Sequence, residues 1–349
     1  MITHRRAMAS VPEGRAGSEQ CRICGGYTIR LLTNEKFDGG DGEPELTYDV
    51  GECKVCGLIF IDPEPNQDVL SRLYDDEYGC YQSEKNSWTS WKFRVAEWRF
   101  AGFGRKRTGT DRVRRAVAAG IEAITGRRIS FTMGIPLTLP KEANILEVGY
   151  GAGDWLIALR KKGYRNLWGV DISSKNVERL TESGIQVATG NILALPLAER
   201  YFDLIRLEHC FEHLIAPSQY MRRLGSLLRP GGMVVMTVPN RDSMNMNCFL
   251  EHSGLWQMPY HVYHWGEKSI GVLAAQNGFT VAQVRTLPVL EQITTSISQR
   301  FGWRMPPRMW WSVKLVIGPI YAAICNIVDK GDFLSLILRK DERASATDK

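Results

Sequence analysis

The stretch Asn144-Ile-Leu-Glu-Val-Gly-Tyr-Gly-Ala-Gly-Asp154, followed by Trp155-Leu-Ile157, decides the fold. An apolar strand enters a loop with three glycines, and a helix begins directly after the loop. Glycine lets the backbone approach a ligand closely, and the N–H groups at the start of the helix favour a carboxylate. Dinucleotide-binding proteins share such loops. The glutamate inside the strand, Glu147, favours instead a ligand with a cationic amino acid end.

Polar side chains follow at the ends of the next two strands. Asp171 ends the second strand, 18 residues beyond the last glycine of the loop. A carboxylate at this place can accept both hydroxyls of a ribose. Asn191 ends the third strand and is predicted to pair with the edge of an adenine. Ile172 and Ile192 are predicted to enclose the ring.

Apolar runs and helical stretches alternate from about residue 143 onward. Alternation of this kind predicts an α/β fold, with a seven-stranded, mostly parallel sheet and helices on both faces. Ligands of such sheets bind beyond the carboxyl ends of the strands. The runs are Asn144–Val148, Leu167–Asp171, Ile185–Ala188, Asp203–Leu207, Gly232–Val238, Phe279–Leu287 and Phe333–Leu338.

Roughly residues 143–285 resemble class I S-adenosylmethionine methyltransferases. Further stretches that carry the resemblance are Leu195-Pro-Leu, Tyr201-Phe-Asp-Leu-Ile205, Glu212-His-Leu, Leu228-Arg-Pro-Gly-Gly232 and Val238-Pro-Asn240. The resemblance implies a Rossmann-like fold and S-adenosylmethionine as cofactor. The cofactor-binding residues that it implies are Glu147, Gly149, Tyr150, Gly151, Gly153, Asp171, Ile172, Asn191, Ile192 and Glu208. The family often has aspartate where this chain has Asn191, and asparagine can still hydrogen-bond adenine.

Two cysteine pairs precede this part of the chain, at Cys21, Cys24, Cys53 and Cys56, with 28 residues between the pairs. Glycine follows each pair and allows a tight turn with positive φ. A single C-x-x-C could be a redox pair, whereas four thiolates complete a tetrahedral Zn²⁺ and leave no position for water. The pairs therefore predict a structural zinc site. The other four of the eight cysteines are predicted to be plain thiols.

The zinc pairs and the later motifs narrow the resemblance to bacterial methyltransferases of cell-surface polysaccharide, sugar or quinone-type metabolism. The later motifs are Tyr260-His-Val-Tyr-His-Trp265, Asn277-Gly-Phe279 and the segment 331–340. The function expected is O-methylation of a hydroxyl on a sugar, a glycolipid or a related small metabolite. The acceptor is expected to be a small molecule or a lipid-linked sugar. The oligomeric state stays open.

Histidines are concentrated near the predicted site, since five of the six lie between residues 209 and 264. A hydroxyl is a poor nucleophile, so a general base helps by roughly 10²–10⁴-fold. His209, His261, His213 and His264 are the candidates, with His209 or His261 first, and a packed or surface histidine is the alternative for each. A second metal built from these histidines is also open, although no acid spacing supports it.

Charge and apolar residues are unevenly distributed. The net charge is +6, yet residues 92–128 alone hold eleven basic and three acidic side chains. This segment is either a solvated helical face or a phosphate-binding surface. Residues 310–328 are strongly apolar, but Lys314 and Gly318-Pro319 interrupt them, so pocket or bilayer-surface helices are favoured over a membrane anchor. Both segments are candidates for peripheral contact with a membrane.

The predicted organisation has five parts. These are a disordered N-terminus (1–18), a zinc-binding module (19–62), a helical bridge or lid (63–140), the methyltransferase domain (141–340) with an apolar helical insertion (289–330), and a disordered tail (341–349). No secretory signal is recognised in Met1 to Gln20. A cytoplasmic location, with the inner membrane face as a peripheral site, is therefore expected.

Two alternatives compete with the expected function. An RNA methyltransferase would agree with the zinc module and the basic stretch. However, the sequence Leu207-Glu-His-Cys210 lacks the Asn/Asp-Pro-Pro-aromatic pattern of enzymes that methylate base amino groups, and no RNA-binding module is recognised. Nucleic acid is thus not the favoured partner. The other alternative is a protein that binds cofactor or partner without catalysis.

Overall fold

The structure is a computed structural model that describes residues 16–37, 46–65, 110, 139–302 and 307–341. The predicted bridge and the basic segment 92–128 lie almost entirely outside the described residues, as does the predicted tail. The described strands are β1 Ala16–Gln20, β2 Tyr27–Phe37, β3 Leu46–Cys53, β4 Ile59–Asp62, β5 Asn144–Val148, β6 Asn166–Asp171, β7 Gln186–Thr189, β8 Phe202–Glu208, β9 Leu228–Pro239, β10 Tyr263–His264, β11 Phe279–Leu287 and β12 Phe333–Lys340. The described helices are α1 Asp154–Lys161, α2 Val177–Glu182, α3 Pro217–Leu227, α4 Met244–Phe249, α5 Glu267–Gln276, α6 Leu290–Phe301 and α7 Pro307–Val328.

Seven strands form one sheet in the order β11-β12-β9-β8-β5-β6-β7. Every neighbouring pair is parallel except the two that involve β12, which runs antiparallel to β9 and to β11. The central strands are apolar along most of their length because both faces of such a sheet are covered. The α/β class and the seven strands predicted from the sequence are confirmed, with ends shifted by a few residues.

The strand order reverses beside β5, because β6 pairs with it on one side and β8 on the other. Open α/β sheets bind their ligands at such a switch point, outside the carboxyl ends of the strands. The glycine loop leaves the carboxyl end of β5 and leads into α1. The topology therefore brings the loop after β5 and the ends of β6 and β8 to one edge.

A second sheet is antiparallel and has the order β1-β2-β3-β4-β10. Its last strand, β10, comes from far along the chain and pairs Tyr263 with Phe60 and His264 with Ile59. Residues 16–18, predicted to be disordered, form part of β1 because the edge of β2 pairs with them. The prediction was wrong for these three residues, since their polar composition carries no signal of the partner strand.

Helices α6 and α7 occupy the interval between β11 and β12, where an apolar insertion is predicted. Tyr321 of α7 is buried and donates a hydrogen bond of 2.6 Å from its Oη to Asp332 Oδ1 at the start of β12. Burial raises the pKa of Asp332 to about 7. Within the described part of the chain, no helix combines the length and the apolar character needed to cross a membrane.

Candidate active site and metal centre

The loop after β5 has the backbone that its glycines predict. Gly149, Gly151 and Gly153 have φ of 73°, 52° and 72°. A Cβ on Gly149 would lie 2.8 Å from Cys210 Sγ, so a side chain there would be strained and crowded. The loop therefore keeps its backbone close to the ends of the neighbouring strands, where a ligand can approach the free N–H groups of α1.

Asp171 lies at the carboxyl end of β6 and connects β6 to this loop. Its Oδ2 accepts a hydrogen bond of 2.9 Å from Gly151 N, and its Oδ1 accepts one of 2.9 Å from Ser173 N. Burial raises the pKa of Asp171, whereas these N–H groups stabilise its charged form. A carboxylate oxygen has a second lone pair, so Asp171 can still accept hydrogen bonds from a ligand hydroxyl.

The residues predicted to hold an adenine are differently placed. The side chain of Ile172 is 49% exposed to solvent, whereas Ile192 is 2% exposed and belongs to the hydrophobic core. Asn191 Oδ1 accepts hydrogen bonds from Leu193 N at 2.9 Å and from Tyr220 Oη at 3.1 Å. The amide oxygen is thus held by the protein, and the Asn191 Nδ2 group is the part left to face a ring nitrogen.

The side chain of Tyr150, also predicted as a cofactor contact, is 5% exposed and packs in the core beneath the loop. Its Oη lies 3.4 Å from the carbonyl oxygen of Ser173. The backbone of Tyr150, rather than its ring, therefore faces the edge where a ligand would bind.

Glu147 and Glu208 are joined by a buried arginine. Arg206 donates through Nη1 to Glu147 Oε1, and its Nη2 lies 3.1 Å from Glu208 Oε2. The Arg206 guanidinium also lies 4.4 Å from the centre of the Trp155 ring. Burial raises the pKa of Glu147 to about 7 although Arg206 opposes the shift. Glu147 therefore has a cationic partner within the protein, which the sequence-based prediction did not include.

His209 follows β8 directly and has a φ of 48°, in the left-handed region that a non-glycine residue rarely adopts. Its Nδ1 lies 3.5 Å from Glu212 Oε1 and its Nε2 lies 4.0 Å from Glu208 Oε1. Burial lowers the pKa of His209, but the contact with Glu212 and the charge of Glu208 outweigh burial and raise the pKa above its ordinary value. Strained backbone of this kind concentrates at functional sites.

The other three candidate histidines lie against one another. The ring centres of His213 and His261 are 4.9 Å apart, and those of His261 and His264 are 5.8 Å apart. Burial lowers the pKa of His264 to about 3 and holds the pKa of His261 well below its ordinary value. Burial thus makes both of these rings poor proton acceptors, and His209 is better placed than either of them to accept a proton.

The four paired cysteines form one cluster, and a sulfur of each lies within 4.8 Å of the others. The Sγ atoms of Cys21 and Cys56 are 3.7 Å apart, and those of Cys24 and Cys53 are 3.4 Å apart. Four thiolates at ~2.3 Å from one tetrahedral Zn²⁺ would be about 3.8 Å apart, so the donor set and the spacing fit zinc. Gly25 and Gly57 have φ of 69° and 76°, as the turn after each pair requires.

The cysteine-bearing sheet contacts the candidate active site directly. Besides the β4–β10 pairing, Ile61 N donates to Val262 O at 3.2 Å, and Val262 N donates to Glu212 O at 3.0 Å. Arg241 Nη1 donates to Glu52 Oε1 at 2.8 Å and to Gly57 O at 2.5 Å. The segment with His261 and His264 therefore connects the five-stranded sheet to the loop after β8.

Arg206, Glu212 and Tyr220 are site residues that sequence reasoning missed. A signal existed for Arg206, because a cation inside the apolar run Asp203–Leu207 must have a buried counter-charge. Glu212 lies three residues after His209 on a one-turn 3-10 helix, Phe211–His213. That spacing allows a contact, but nothing local distinguishes it from a surface pair. Tyr220 reaches Asn191 from α3, and no sequence pattern predicts that contact.

Comparisons with known proteins show similarity to methyltransferases. Residues 118–284 match the sequence profile of a family described as "Methyltransferase domain". Demethylmenaquinone methyltransferase of Bacillus licheniformis is 28% identical over 115 residues, which are 31% of this chain and 50% of that protein. The 2-methyl-6-phytyl-1,4-hydroquinone methyltransferase of Synechocystis is 26% identical over 180 residues, which are 50% of this chain and 54% of that protein. The chain thus spans about half the length of these curated relatives.

Among solved structures, an S-adenosylmethionine-dependent methyltransferase from Mesorhizobium loti is similar at a TM-score of 0.40 and 18% identity, over 58% of this chain and 94% of that one. The profile match, the relatives and the strand order agree on one domain type. Residues 118–284 are thus similar to a methyltransferase domain, and the two relatives are named as methyltransferases.

Proposed function

We propose that this protein is an S-adenosylmethionine-dependent methyltransferase that methylates a hydroxyl of a small metabolite. The observation that carries the proposal is the arrangement along one sheet edge. The glycine loop, Asp171 and Asn191 line the part that a nucleoside would occupy, and His209 follows the next strand toward the switch point. Binding and proton-accepting groups are thus brought together by neighbouring strands.

S-adenosylmethionine, when bound, supplies a methyl group on a sulfonium for displacement by the acceptor oxygen. The chain has to hold both partners in line and keep water away, which accounts for most of the rate enhancement of such reactions. Asp171 would hold the ribose, and the N–H groups at the start of α1 would face the carboxylate. His209 would accept the hydroxyl proton, and the contact with Glu212 would stabilise the charged imidazole.

A structural zinc ion in the four-cysteine cluster is the second part of the proposal. The cluster lies on the five-stranded sheet, away from the glycine loop, and its four thiolates would leave no coordination position for a substrate. Its role would be to hold the turns that carry β4, against which β10 and His264 pack. The zinc would therefore act on catalysis only through the position of this segment.

For the acceptor, we favour a sugar or glycolipid intermediate of cell-surface polysaccharide or secondary metabolism. The motif resemblance and the exposed apolar side chains of α7 support an acceptor with an apolar part. Ile320 and Ile327 are 58% and 82% exposed, which also supports contact of α7 with a membrane surface. The names of the relatives favour a second candidate, a quinone-type acceptor.

The test is to incubate the purified protein with methyl-labelled S-adenosylmethionine and a cell extract. Lipid, small-molecule, protein and RNA fractions are then separated and counted. We expect label in lipid or small polar material, and less of it when Asp171→Ala replaces the wild type. Label in RNA would contradict the proposed acceptor, and cofactor binding without label in any fraction would contradict the proposed catalysis. Acid hydrolysis of the labelled product separates a methylated sugar from a methylated quinone ring.

A further inference from the structure

A buried carboxylate beside the candidate active site lacks the partner that its burial requires. The Glu212 side chain is fully buried, and neither oxygen has a hydrogen bond of normal geometry among the described residues. Its contact with His209 Nδ1, at 3.5 Å, is long. A buried carboxylate is costly unless a cation or several donors neutralise it. This glutamate is therefore suited to a positively charged ligand.

Two histidine rings next to Glu212 are oriented as metal ligands are. His213 Nδ1 donates to Tyr260 O at 2.7 Å, and His261 Nδ1 donates to Leu255 O at 3.2 Å. Carbonyl oxygens only accept hydrogen bonds, so Nδ1 carries the proton in both rings and Nε2 is the nitrogen with a lone pair. Metal-binding histidines usually donate their other N–H to a carbonyl or carboxylate in this way.

The three side chains are close enough to share one ion. One ligand atom each of Glu212, His213 and His261 lies within 4.8 Å of the other two. Nitrogen and oxygen ligands bind such ions at ~2.0–2.2 Å and thus lie about 3–4 Å from one another. The three ligand atoms would therefore have to move only somewhat closer to one another to share one ion. Two residues come from the 3-10 helix after β8 and the third from the segment before β10.

We propose that Glu212, His213 and His261 form a second metal site, which takes a divalent transition-metal ion such as Zn²⁺, Fe²⁺ or Co²⁺. Imidazole and carboxylate ligands together suit these ions. The four-cysteine cluster differs, because thiolates are soft ligands that favour softer metal ions. Three protein ligands leave coordination positions open, in contrast to the four-thiolate cluster. The sequence alone showed the histidines but no acid at a ligand spacing. The structure supplies the acid, because the chain folds His261 against Glu212.

The role of this ion rests on the proposed function. An acceptor hydroxyl that occupies an open position would lose its proton more readily, because the metal charge stabilises the oxyanion. The hydroxyl proton would pass to His209, the proposed base, while the oxygen lone pair would form the O–CH₃ bond and the C–S bond would break with its electrons left on sulfur. The products are the methyl ether and S-adenosylhomocysteine.

Metal counting tests the site without any activity assay. The full-length protein is saturated with Co²⁺ and desalted, and bound zinc and cobalt are measured together by mass spectrometry. We expect two divalent ions per chain in the wild type and one in Glu212→Gln and His261→Asn. His252→Asn is the matched control, because His252 lies outside the cluster on the short helix Leu250–His252, and it should keep two. Circular dichroism and the retained first ion show that the variants are folded.

One ion per chain in the wild type, or two in both folded variants, would overturn the site. The visible spectrum gives a second readout, since cobalt bound to nitrogen and oxygen lacks the thiolate charge-transfer band of a four-cysteine site. Two ions without methyl transfer would refute the proposed function and leave the metal site in place. Methyl transfer by a protein that binds only one ion per chain would support the proposed function and overturn the second metal site.

Discussion

The two sheets differ in how their polar clusters are completed. In the five-stranded antiparallel sheet, four sulfurs face one another, so a bound ion would have all of its ligands from the protein. At the edge of the seven-stranded sheet, the Asp171 carboxylate accepts a hydrogen bond from Gly151 N of the glycine loop. The same carboxylate can still accept hydrogen bonds from a ligand. A cluster whose ligands all come from the protein favours a structural role. A group of polar side chains with hydrogen-bonding capacity left over favours the binding of a ligand.

The two regions are also mechanically joined. Val262 N bonded to Glu212 O, in the loop after β8, and Arg241, after β9, bonded to Glu52 of β3 link the five-stranded sheet to the seven-stranded one. The histidine segment lies at this junction. Loss of a cysteine ligand should therefore shift the backbone of the histidine segment and lower activity. Substitutions at the cofactor-binding edge should leave the metal content of the cysteine cluster unchanged. The four predictions below test this asymmetry.

The largest effect is expected from Cys53→Ser. Loss of one thiolate should release the zinc ion and destabilise the five-stranded sheet by about 5 kcal/mol or more, because metal binding and folding of such modules are coupled. Metal analysis and the thermal unfolding of the purified protein measure it. Cys248→Ser is the control, since Cys248 is exposed and outside the cluster. A variant that keeps both its ion content and its unfolding midpoint would rule out the structural zinc.

The next largest effect is expected from His209→Asn. Removing the proton acceptor should lower kcat by roughly 10²–10⁴-fold while the Kd for S-adenosylmethionine stays the same. Steady-state kinetics on the acceptor found by labelling, together with calorimetric cofactor binding, separate the two quantities. His252→Asn should leave both unchanged. Wild-type turnover in His209→Asn would exclude this histidine as the base.

A smaller effect is expected from Asp171→Ala. The carboxylate holds Gly151 N and would hold the ribose, and hydrogen bonds to a charged group contribute about 1.5–3 kcal/mol. The Kd for S-adenosylmethionine should rise on the order of 10- to 100-fold, as measured by isothermal titration calorimetry, and the zinc content should not change. Glu178→Gln, a change at an exposed site on α2, is the matched control. An unchanged Kd would contradict the role of Asp171 in cofactor binding.

The smallest effect is expected from Arg241→Met, which cuts one link between the sheets. Arg241 is largely buried and bonds both Glu52 and Gly57, so its loss should lower the free energy of unfolding by about 1–3 kcal/mol. Chemical denaturation measures it. The matched change is Arg22→Met, whose ion pair with Asp62 is more exposed and should contribute less than about 1 kcal/mol. Equal losses in the two variants would mean that Arg241 does not couple the sheets.

Patterns within short stretches of sequence predicted those features of the fold that depend on adjacent residues. The seven strands, the glycine loop and the clustering of four cysteines all follow from spacing and residue type within short stretches. Buried parallel strands need continuous apolar runs, and tight turns need glycine at positive φ. These requirements act on a few adjacent residues, and the sequence alone is therefore enough to recognise them.

The tertiary structure decided what depends on residues far apart in the chain. It paired β10 with β4, brought Arg206 of β8 to Glu147 of β5, and brought His261 to Glu212. Each of these contacts joins different strands or loops, and its partner is chosen by the packing of the whole sheet. The physical reason is that burial and charge neutralisation depend on every neighbour of a side chain, whereas the sequence shows only the neighbours along the chain.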